Sequence, residues 1–109
     1  MKKSYLDYKF YVYIMASISG VLYVGITNSL YSRVYQHKHN LVDGFTKKYK
    51  CHKLVYYEEY QYVTDAIARE KQIKKWNRKK KEDLIKTKNL YFNDLARDWY
   101  KEKMKNKNI

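Results

Sequence analysis

Three charged or titratable side chains occupy positions where helical spacing would place apolar residues. Arg33 and His37 fall on the inward stripe of the segment 30–40, and Glu70 falls on the inward stripe of the segment 64–76. Polar groups that face a core cost free energy unless they are paired or line a cleft. An arginine can bind a phosphate group, and a histidine can transfer a proton near neutral pH. Since local sequence rules tend to fail at functional sites, we interpret these three residues as part of a candidate active site.

A purely structural arrangement of these residues stays open on the sequence alone. Arg33 and Glu70 could form a salt bridge between two helices, with tyrosines packed over it. A buried ion pair contributes little net stability, because desolvating both charges offsets most of their attraction. The pairing would therefore give only a weak reason to keep both residues.

The order of the predicted elements indicates a mixed α+β domain with a small sheet. Apolar and aromatic runs of strand length cover 10–16, 21–26 and 53–60. Helical patterns cover 30–40, 64–76 and 78–86. The segment 41–51, which lies between the first helix and the third strand, is predicted to be a loop.

Helix caps and the last segment complete this outline. Asn28 or Ser29 is expected to cap the first helix, Thr64 the second, and Asn77 can interrupt or cap before the third. The segment 89–103 has loose helical spacing. We expect it to pack against the domain as a short amphipathic segment.

The alternation of side chains predicts the register of the first hairpin. A three-residue connection over 18–20 places Tyr13 opposite Gly25 and Met15 opposite Tyr23. The tyrosines then share one face of the sheet with Gly25, where a glycine lets another group approach closely. The opposite face collects the aliphatic residues Val12, Ile14, Leu22, Val24 and Ile26.

The chain carries a large positive charge. Lys and Arg number 24 and Asp and Glu number 11, which gives a formal net charge of +13 over 109 residues. A polyanion is the natural partner of such a surface, and nucleic acid is the commonest one. The 14 tyrosines offer stacking area that suits nucleic acid, although they suit sheet packing as well. A solvated lysine-rich surface without a specific partner is the alternative.

Length and hydropathy bound the class of protein. The chain predicts a single domain over 1–109, with its core at about 8–99 and a frayed tail over 103–109. It contains no apolar stretch of about 18 residues or more, so no transmembrane helix is predicted. Residues 1–10 lack the apolar run of a secretory signal.

The single cysteine, Cys51, cannot build a disulfide framework and is expected to be a small, half-buried residue. A lone cysteine fits a reducing environment, so a cytoplasmic location is expected. A zinc site is a minor alternative, with Cys51 joined by His37, His39 and His52. The spacing of His37 and His39 suits helical metal ligands poorly, because such ligands prefer i and i+4.

The order of these motifs resembles the GIY-YIG nuclease superfamily over about 8–99. Two short tyrosine signatures carry the resemblance, Tyr11-Val12-Tyr13 and Tyr23-Val24-Gly25. Matching segments follow in register, namely NSLYSRVYQHK, FTKKY, KLVYYEEY and AIAREKQIKKW. The chain is most similar to the small single-domain bacterial members, which are related to homing endonucleases and to the N-terminal domain of the excinuclease C subunit. The resemblance implies a three-stranded antiparallel sheet flanked by helices, and metal-dependent hydrolysis of DNA phosphodiester bonds.

Positions in the motifs carry over particular roles. Glu70 resembles the family's single metal-binding carboxylate, which implies one Mg²⁺ or Mn²⁺ ion. Tyr13 and Tyr23 resemble the signature tyrosines, and Arg33 resembles the arginine that binds a phosphate oxygen. Tyr13 is the family's leading general base, and we expect a nearby Arg33 and the metal ion to favour its phenolate. His37 stands where the family carries His or Tyr, and could act as base or orienter.

The chain departs from the family pattern at two places. Tyr11 replaces the usual first glycine of the first signature, which we expect to affect strand packing rather than chemistry. The asparagine found near the active site of many members has no secure counterpart, and Asn77 and Asn89 both stay open.

Basic residues outside the core site are expected to hold the DNA backbone without reading its sequence. These candidates are Lys47, Lys48, Lys74, Arg78, Lys79 and Lys80. We therefore expect low sequence specificity, with preference for single strands, flaps or branches. A non-catalytic nucleic-acid-binding module is the second hypothesis, and a structural protein with a basic surface is the third. Pathway (repair, recombination or defence) and oligomeric state (monomer or weak dimer) stay open.

Overall fold

A computed structural model describes residues 8–101 of the chain. Its elements in chain order are β1 (Phe10–Ala16), β2 (Leu22–Thr27), α1 (Leu30–Lys38), α2 (Phe45–Tyr49), β3 (Lys53–Tyr60), α3 (Val63–Lys74) and α4 (Arg78–Lys86). The strands form one sheet in the order β2-β1-β3, with β1 antiparallel to both neighbours. This architecture confirms the predicted α+β class, a small three-stranded antiparallel sheet flanked by helices. Within residues 8–101, no helix is long and apolar enough to cross a membrane.

The first hairpin has the predicted register. Tyr13 lies opposite Gly25, and Met15 lies opposite Tyr23. The Ser17 hydroxyl accepts a hydrogen bond from the backbone N–H of Val21 at 2.9 Å, which closes the turn. The turn residue Gly20 has φ +95°, a conformation that favours glycine.

The two faces of the sheet pack against different helices. On the aliphatic face, α3 and α4 contribute Ala66, Ile73 and Ile85 to a core that includes Val12 and Val24. The tyrosine face packs against α1 and residues from the loops, in a cluster of Tyr13, Met15, Leu30, Val34, Cys51, Leu54 and Ala96. The sheet therefore separates α1 from α3, and this separation decides which site residues can touch.

A bulge in β3 adjusts the side chains that face each core. Ile14 pairs with Tyr56 but Met15 pairs with Leu54, so Val55 is the extra residue. Val55 and Tyr56 consequently both join the aliphatic core, while Leu54 joins the tyrosine face. A bulge re-aims side chains in this way because it inserts one residue into one strand only.

Two local predictions were wrong. The segment 41–51, predicted to be a loop, contains the short helix α2, which begins after Gly44 (φ +102°) and ends before Lys50 (φ +55°). Five residues are too few for helical periodicity to show in a sequence. The second long helix begins at Val63, and its N-cap is Tyr62 rather than Thr64, without a side-chain cap hydrogen bond.

The last described segment packs against the domain as predicted, although it does not form an α-helix. Phe92 has φ +54°, a left-handed conformation that interrupts helical continuation. Asp94 accepts a hydrogen bond from the backbone N–H of Leu54 at 3.0 Å, and the N–H of Leu95 donates to the Leu54 carbonyl at 2.7 Å. The segment thus covers the outer edge of β3. The predicted frayed tail lies outside the described residues, and the single-domain assignment stays a prediction.

A fully hydrogen-bonded carboxylate joins α3 to β3. Arg69 donates from Nε and Nη2 to the two carboxylate oxygens of Glu58, each at 2.9 Å. The hydroxyl of Tyr60 donates to Glu58 at 2.7 Å, and the hydroxyl of Tyr56 donates to its other oxygen. Burial alone would raise the pKa of Glu58, but these hydrogen bonds lower it to about 2. The cluster fixes the helix that carries Glu70.

We predict that Glu58 makes the fold acid-sensitive. Its folded pKa lies below the ordinary value of 4.5, so its contribution to stability is present above that pH and is lost as pH falls toward about 2. The loss is on the order of 2–3 kcal/mol, since the carboxylate is mostly buried. Urea unfolding across this range should show a shallower pH dependence for Glu58→Gln than for the wild type.

The matched control is Glu59→Gln, which changes a half-exposed carboxylate whose ion pair with Lys9 is 3.5 Å long. This control should follow the wild-type pH dependence, because exposed pairs contribute little. Equal pH dependence in Glu58→Gln and the wild type would contradict the assignment.

Candidate active site

The tyrosine face of the hairpin carries a fully buried tyrosine beside a glycine. The rings of Tyr13 and Tyr23 lie 6.3 Å apart between centroids, with Tyr13 fully buried and Tyr23 half-buried. A Cβ atom at Gly25 would lie 2.5 Å from the Tyr13 hydroxyl oxygen. No side chain fits at that distance, so Gly25 provides the space that the Tyr13 ring occupies.

A chain of hydrogen bonds begins at the Tyr13 hydroxyl. His37 Nε2 lies 2.8 Å from Tyr13 Oη, and His37 Nδ1 lies 3.0 Å from Thr46 Oγ1. All three residues are buried. Burial and, to a smaller extent, the positive charge of Arg33 together lower the pKa of His37 to about 4. His37 is therefore neutral at neutral pH, and one of its nitrogens can accept a proton.

Thr46 is a site residue that the sequence reasoning missed. It lies in α2, within the segment predicted to be a loop, and its backbone carbonyl also accepts a hydrogen bond from Cys51 at 2.9 Å. The only available signal was the segment FTKKY, which matches the family in register without indicating a role. In the tautomer protonated at Nδ1, His37 donates to Thr46 and accepts from Tyr13.

Arg33 acts on Tyr13 in the expected direction, but burial of Tyr13 opposes it, and the role of Tyr13 as general base stays a prediction. Burial raises the pKa of Tyr13 well above its ordinary value, and Tyr23 raises it further. The nearby Arg33 lowers the pKa, but this effect is smaller than that of burial. Tyr13 is therefore a neutral hydrogen-bond donor, and His37 is the group able to take its proton.

Arg33 lies beside this hydrogen-bond chain, on α1. Among residues 8–101 it forms no ion pair, and the carboxylate of Glu70 pairs with Lys74 at 2.9 Å. The alternative salt bridge between Arg33 and Glu70 is therefore absent from this part of the chain. A half-buried guanidinium without a carboxylate partner is suited to binding an anion.

Glu70 lies on the other side of the sheet from the remaining site residues. The structure brings together Tyr13, Tyr23, Arg33 and His37, which contact or influence one another on the tyrosine face. Glu70 belongs to α3, which packs on the aliphatic face, and no hydrogen bond or ion pair among the described residues joins it to those four. Because β2 is an edge strand that α3 also contacts, the two groups approach each other only around that edge.

The donor set restricts the kind of metal ion that the site can hold. No group of three or more His, Cys, Asp or Glu side chains suitable for a metal occurs within the described range. Glu70 offers one mostly buried carboxylate, one oxygen of which faces Lys74. This fits an ion such as Mg²⁺, which keeps several waters and takes phosphate oxygens as ligands.

The zinc alternative does not fit the same residues. Both ring nitrogens of His37 are hydrogen-bonded, and His52 Nε2 lies 2.8 Å from Asn40 Oδ1. Cys51 is buried, its Sγ lies 3.8 Å from the Val21 carbonyl, and burial raises the pKa of its thiol. A protonated thiol is a poor metal ligand.

The predicted DNA-holding residues fall into two groups. Lys47 and Lys48 are exposed on α2, the helix that also carries Thr46. The second group lies on α3, on α4 and between them, and each member has a local partner. These contacts are Lys74 with Glu70, Arg78 with Glu82, Lys79 with Asp83, and Lys80 over the ring of Trp76. Their role in DNA binding stays a prediction.

The two candidate asparagines are both used by the fold. Asn77 caps α4 by accepting from the backbone N–H of Lys80 at 2.9 Å. Asn89 is buried, and its side-chain amide donates to the carbonyls of Val55 at 2.9 Å and Asn93 at 2.8 Å. These bonds give both residues a structural role, and which of them corresponds to the family's asparagine stays open.

Comparisons with known proteins agree with this fold. The family model of the GIY-YIG catalytic domain matches residues 9–83. UPF0213 proteins of Staphylococcus aureus strains N315 and MW2 are 37% identical over 76 residues, which cover 70% of this chain and 93% of theirs. The solution NMR structure of the UPF0213 protein BH0048 from Bacillus halodurans has a TM-score of 0.53 and 27% identity, covering 82% of this chain and 96% of that one.

These matches confirm the resemblance drawn from the tyrosine signatures, including the likeness to small bacterial proteins of this type. The names of the UPF0213 proteins state no activity. The family model covers well over half of the chain and includes every predicted site residue. The chain therefore belongs to the GIY-YIG family.

Proposed function

We propose that this protein is a metal-dependent endonuclease that hydrolyses DNA phosphodiester bonds with low sequence specificity. One observation carries the proposal: Arg33, without a carboxylate partner among residues 8–101, lies beside the hydrogen-bonded chain Tyr13–His37–Thr46. The first group suits a phosphate, and the second suits a proton transfer. The GIY-YIG domain and the net charge of +13 support a nucleic-acid substrate.

The substrate phosphate would bind at the free edge of β2. There Arg33 would donate to a non-bridging phosphate oxygen and stabilise the charge that develops in the transition state. Tyr23, which is half-buried, would meet the attacking water before the fully buried Tyr13 can. Glu70 would approach the same phosphate from the other face and hold one Mg²⁺ or Mn²⁺ ion, which supplies charge neutralisation and assists the leaving oxygen.

The proton of the attacking water would move inward along the side chains. As the water oxygen bonds to phosphorus, the bond from phosphorus to the leaving oxygen would break and the water would give a proton to Tyr23 Oη. Tyr23 would pass its own proton to Tyr13 Oη. Tyr13 would pass its proton to His37 Nε2, so both tyrosines end neutral and His37 ends as imidazolium. Thr46 would accept from Nδ1 throughout and hold the ring in place. Return of the proton to solvent or to the leaving oxygen completes the cycle.

We predict that Glu70→Gln abolishes metal-dependent cleavage without unfolding the protein. The substitution keeps the shape but removes the carboxylate that would bind the ion, so the rate should fall about 100-fold or more. The measurement is cleavage of labelled branched and single-stranded DNA in Mg²⁺ or Mn²⁺. Glu82→Gln is the matched control, since Glu82 also pairs with a basic residue four positions away.

Two outcomes would overturn parts of this proposal. Cleavage that survives Glu70→Gln would remove the metal assignment. If the wild type binds DNA but cuts none of the substrates, the non-catalytic binding module becomes the better description. Glu82→Gln should cleave at the wild-type rate.

We predict that Thr46 acts as a positioning residue. Thr46→Val keeps the shape but removes the partner of His37 Nδ1, so kcat should fall about tenfold or more while KM changes little. Thr46→Ser keeps the hydroxyl and should restore most of the rate. Wild-type kcat in Thr46→Val, or no rescue by Thr46→Ser, would remove Thr46 from the mechanism.

We predict that His37 titrates near pH 4 rather than near 6.5. NMR titration of the ring should give this value, and Arg33→Gln should raise the pKa because Arg33 lowers it in the wild type. Since the folded pKa lies below the ordinary one, the unfolded chain takes up the proton first, and stability should fall as pH drops from about 6.5 to about 4. Arg97→Gln, at an exposed arginine, should leave the His37 pKa unchanged. A His37 pKa near 6.5 in the wild type would contradict the assignment.

A further inference from the structure

A row of exposed aromatic rings leads away from the candidate active site along α2. The ring of Phe45 stacks on that of Tyr23 with centroids 6.1 Å apart and planes 30° apart. Tyr49 follows one helical turn later, with its ring centroid 4.7 Å from that of Phe45. Phe45 is 45% exposed and Tyr49 is 41% exposed, so both rings offer surface to a ligand.

The row ends at a cavity of about 460 Å³ beside the first hairpin turn. Tyr49 lines this cavity together with Lys50 and Lys53 and with the hydroxyl-bearing turn residues Ser17 and Ser19. The lining thus includes an aromatic ring, the ammonium groups of Lys50 and Lys53 and two hydroxyl groups, beside the ion pair of Lys38 and Asp94. Such a combination suits a phosphate group that is attached to something flat.

The charge in the cavity is positive and only partly neutralised. Lys38 is paired with Asp94, and both line the cavity. Lys50 and Lys53, by contrast, form no ion pair with any residue that the structure describes. Burial lowers the pKa of the neighbouring His52, and the charges of Lys38 and Lys50 lower it further.

We propose that this groove, defined by Phe45, Tyr49, Lys50 and Lys53, binds a single-stranded nucleic-acid segment that continues from the cleavage site. Unpaired bases would stack on Phe45 and Tyr49, and a backbone phosphate would lie between Lys50 and Lys53. Paired bases are stacked on their neighbours within the duplex, so exposed rings favour single strands over duplex DNA.

The proposal deepens the proposed function, on which it rests, by naming the substrate class. It predicts a substrate with a single-stranded arm next to the phosphate that is cut. The rings of Tyr23, Phe45 and Tyr49 form a continuous row between the candidate active site and the cavity. Tyr23 belongs to the site at one end, and Tyr49 lines the cavity at the other. Lys48 lies over the Tyr49 ring, with its Nζ 5.3 Å from the ring centroid.

Binding without cleavage tests the groove separately from the chemistry. Oligo-dT and a blunt duplex are titrated into the Glu70→Gln protein in the presence of EDTA, and affinity is followed by fluorescence anisotropy. In this background, Tyr49→Leu keeps an apolar contact with Phe45 and removes the stacking ring. Tyr91→Leu is the matched control, because Tyr91 is exposed and lies outside the groove.

We expect Tyr49→Leu to weaken oligo-dT binding about tenfold and to leave duplex binding unchanged. Tyr49→Trp should keep the wild-type affinity. Replacing Lys50 and Lys53 together with Gln should reduce the dependence of binding on salt, by a slope of about 1–2 in log units. The exposed pair Lys75 and Lys86, replaced in the same way, is the charge-matched control for affinity at fixed salt.

Equal oligo-dT affinity in Tyr49→Leu and Tyr91→Leu would contradict the proposed groove. Equal weakening of single-strand and duplex binding in Tyr49→Leu would contradict it as well. Competition by polyglutamate as strong as that by oligo-dT would assign the groove to acidic peptides and overturn the proposal. Because no metal is present, these outcomes do not depend on cleavage. If Tyr49→Leu selectively loses single-strand binding and the wild type cleaves no DNA, the groove proposal stands and the nuclease proposal fails. If Tyr49→Leu binds single strands as well as Tyr91→Leu does and the wild type cleaves DNA, only the nuclease proposal stands.

Discussion

The buried hydrogen bond between Tyr13 and His37 is the contact on which the arrangement of the site depends. It joins β1 to α1, and the further bond to Thr46 joins α1 to α2. Buried polar groups must find partners, so each bond constrains where the next element can lie. The same bond needs the space beside Gly25, where a Cβ atom would meet the Tyr13 hydroxyl at 2.5 Å. The space that Tyr13 of the first signature needs is therefore provided by Gly25 of the second signature, on the neighbouring strand.

The sheet imposes a second constraint, because it separates the phosphate-binding side from the carboxylate. Arg33 and His37 lie on a helix that covers the tyrosine face, whereas Glu70 lies on a helix that covers the aliphatic face. Only the edge strand β2 lets both sides reach one ligand. A substrate at this edge would complete the site, since the protein alone provides one carboxylate and no closed metal cage among the described residues.

Much of this arrangement could be predicted from the sequence, for a physical reason. Strand side chains alternate, so the separation of tyrosines from aliphatic residues was enough to fix the hairpin register with Tyr13 opposite Gly25. Thr46 could not be predicted, because its helix is too short to show periodicity and its partner is nine residues away. The protonation state of Tyr13 in the folded chain could not be predicted from Arg33 alone, because burial, to which several elements contribute, has a larger effect on its pKa than the charge of Arg33.

The chain contains two sets of partly buried arginine and glutamate residues. In one set the two charges contact each other, and in the other, at the candidate site, they do not. Glu58 and Arg69 satisfy each other with two hydrogen bonds, and two tyrosines occupy the remaining acceptor positions. Arg33 and Glu70 are also a partly buried arginine and a carboxylate, yet the sheet keeps them apart. A satisfied pair stabilises the fold, whereas separated charges have a free-energy cost that a bound ligand can offset. The binding energy of a phosphate and its metal ion would thus act at Arg33, which has no carboxylate partner among the described residues, and at Glu70, whose ion pair is with Lys74.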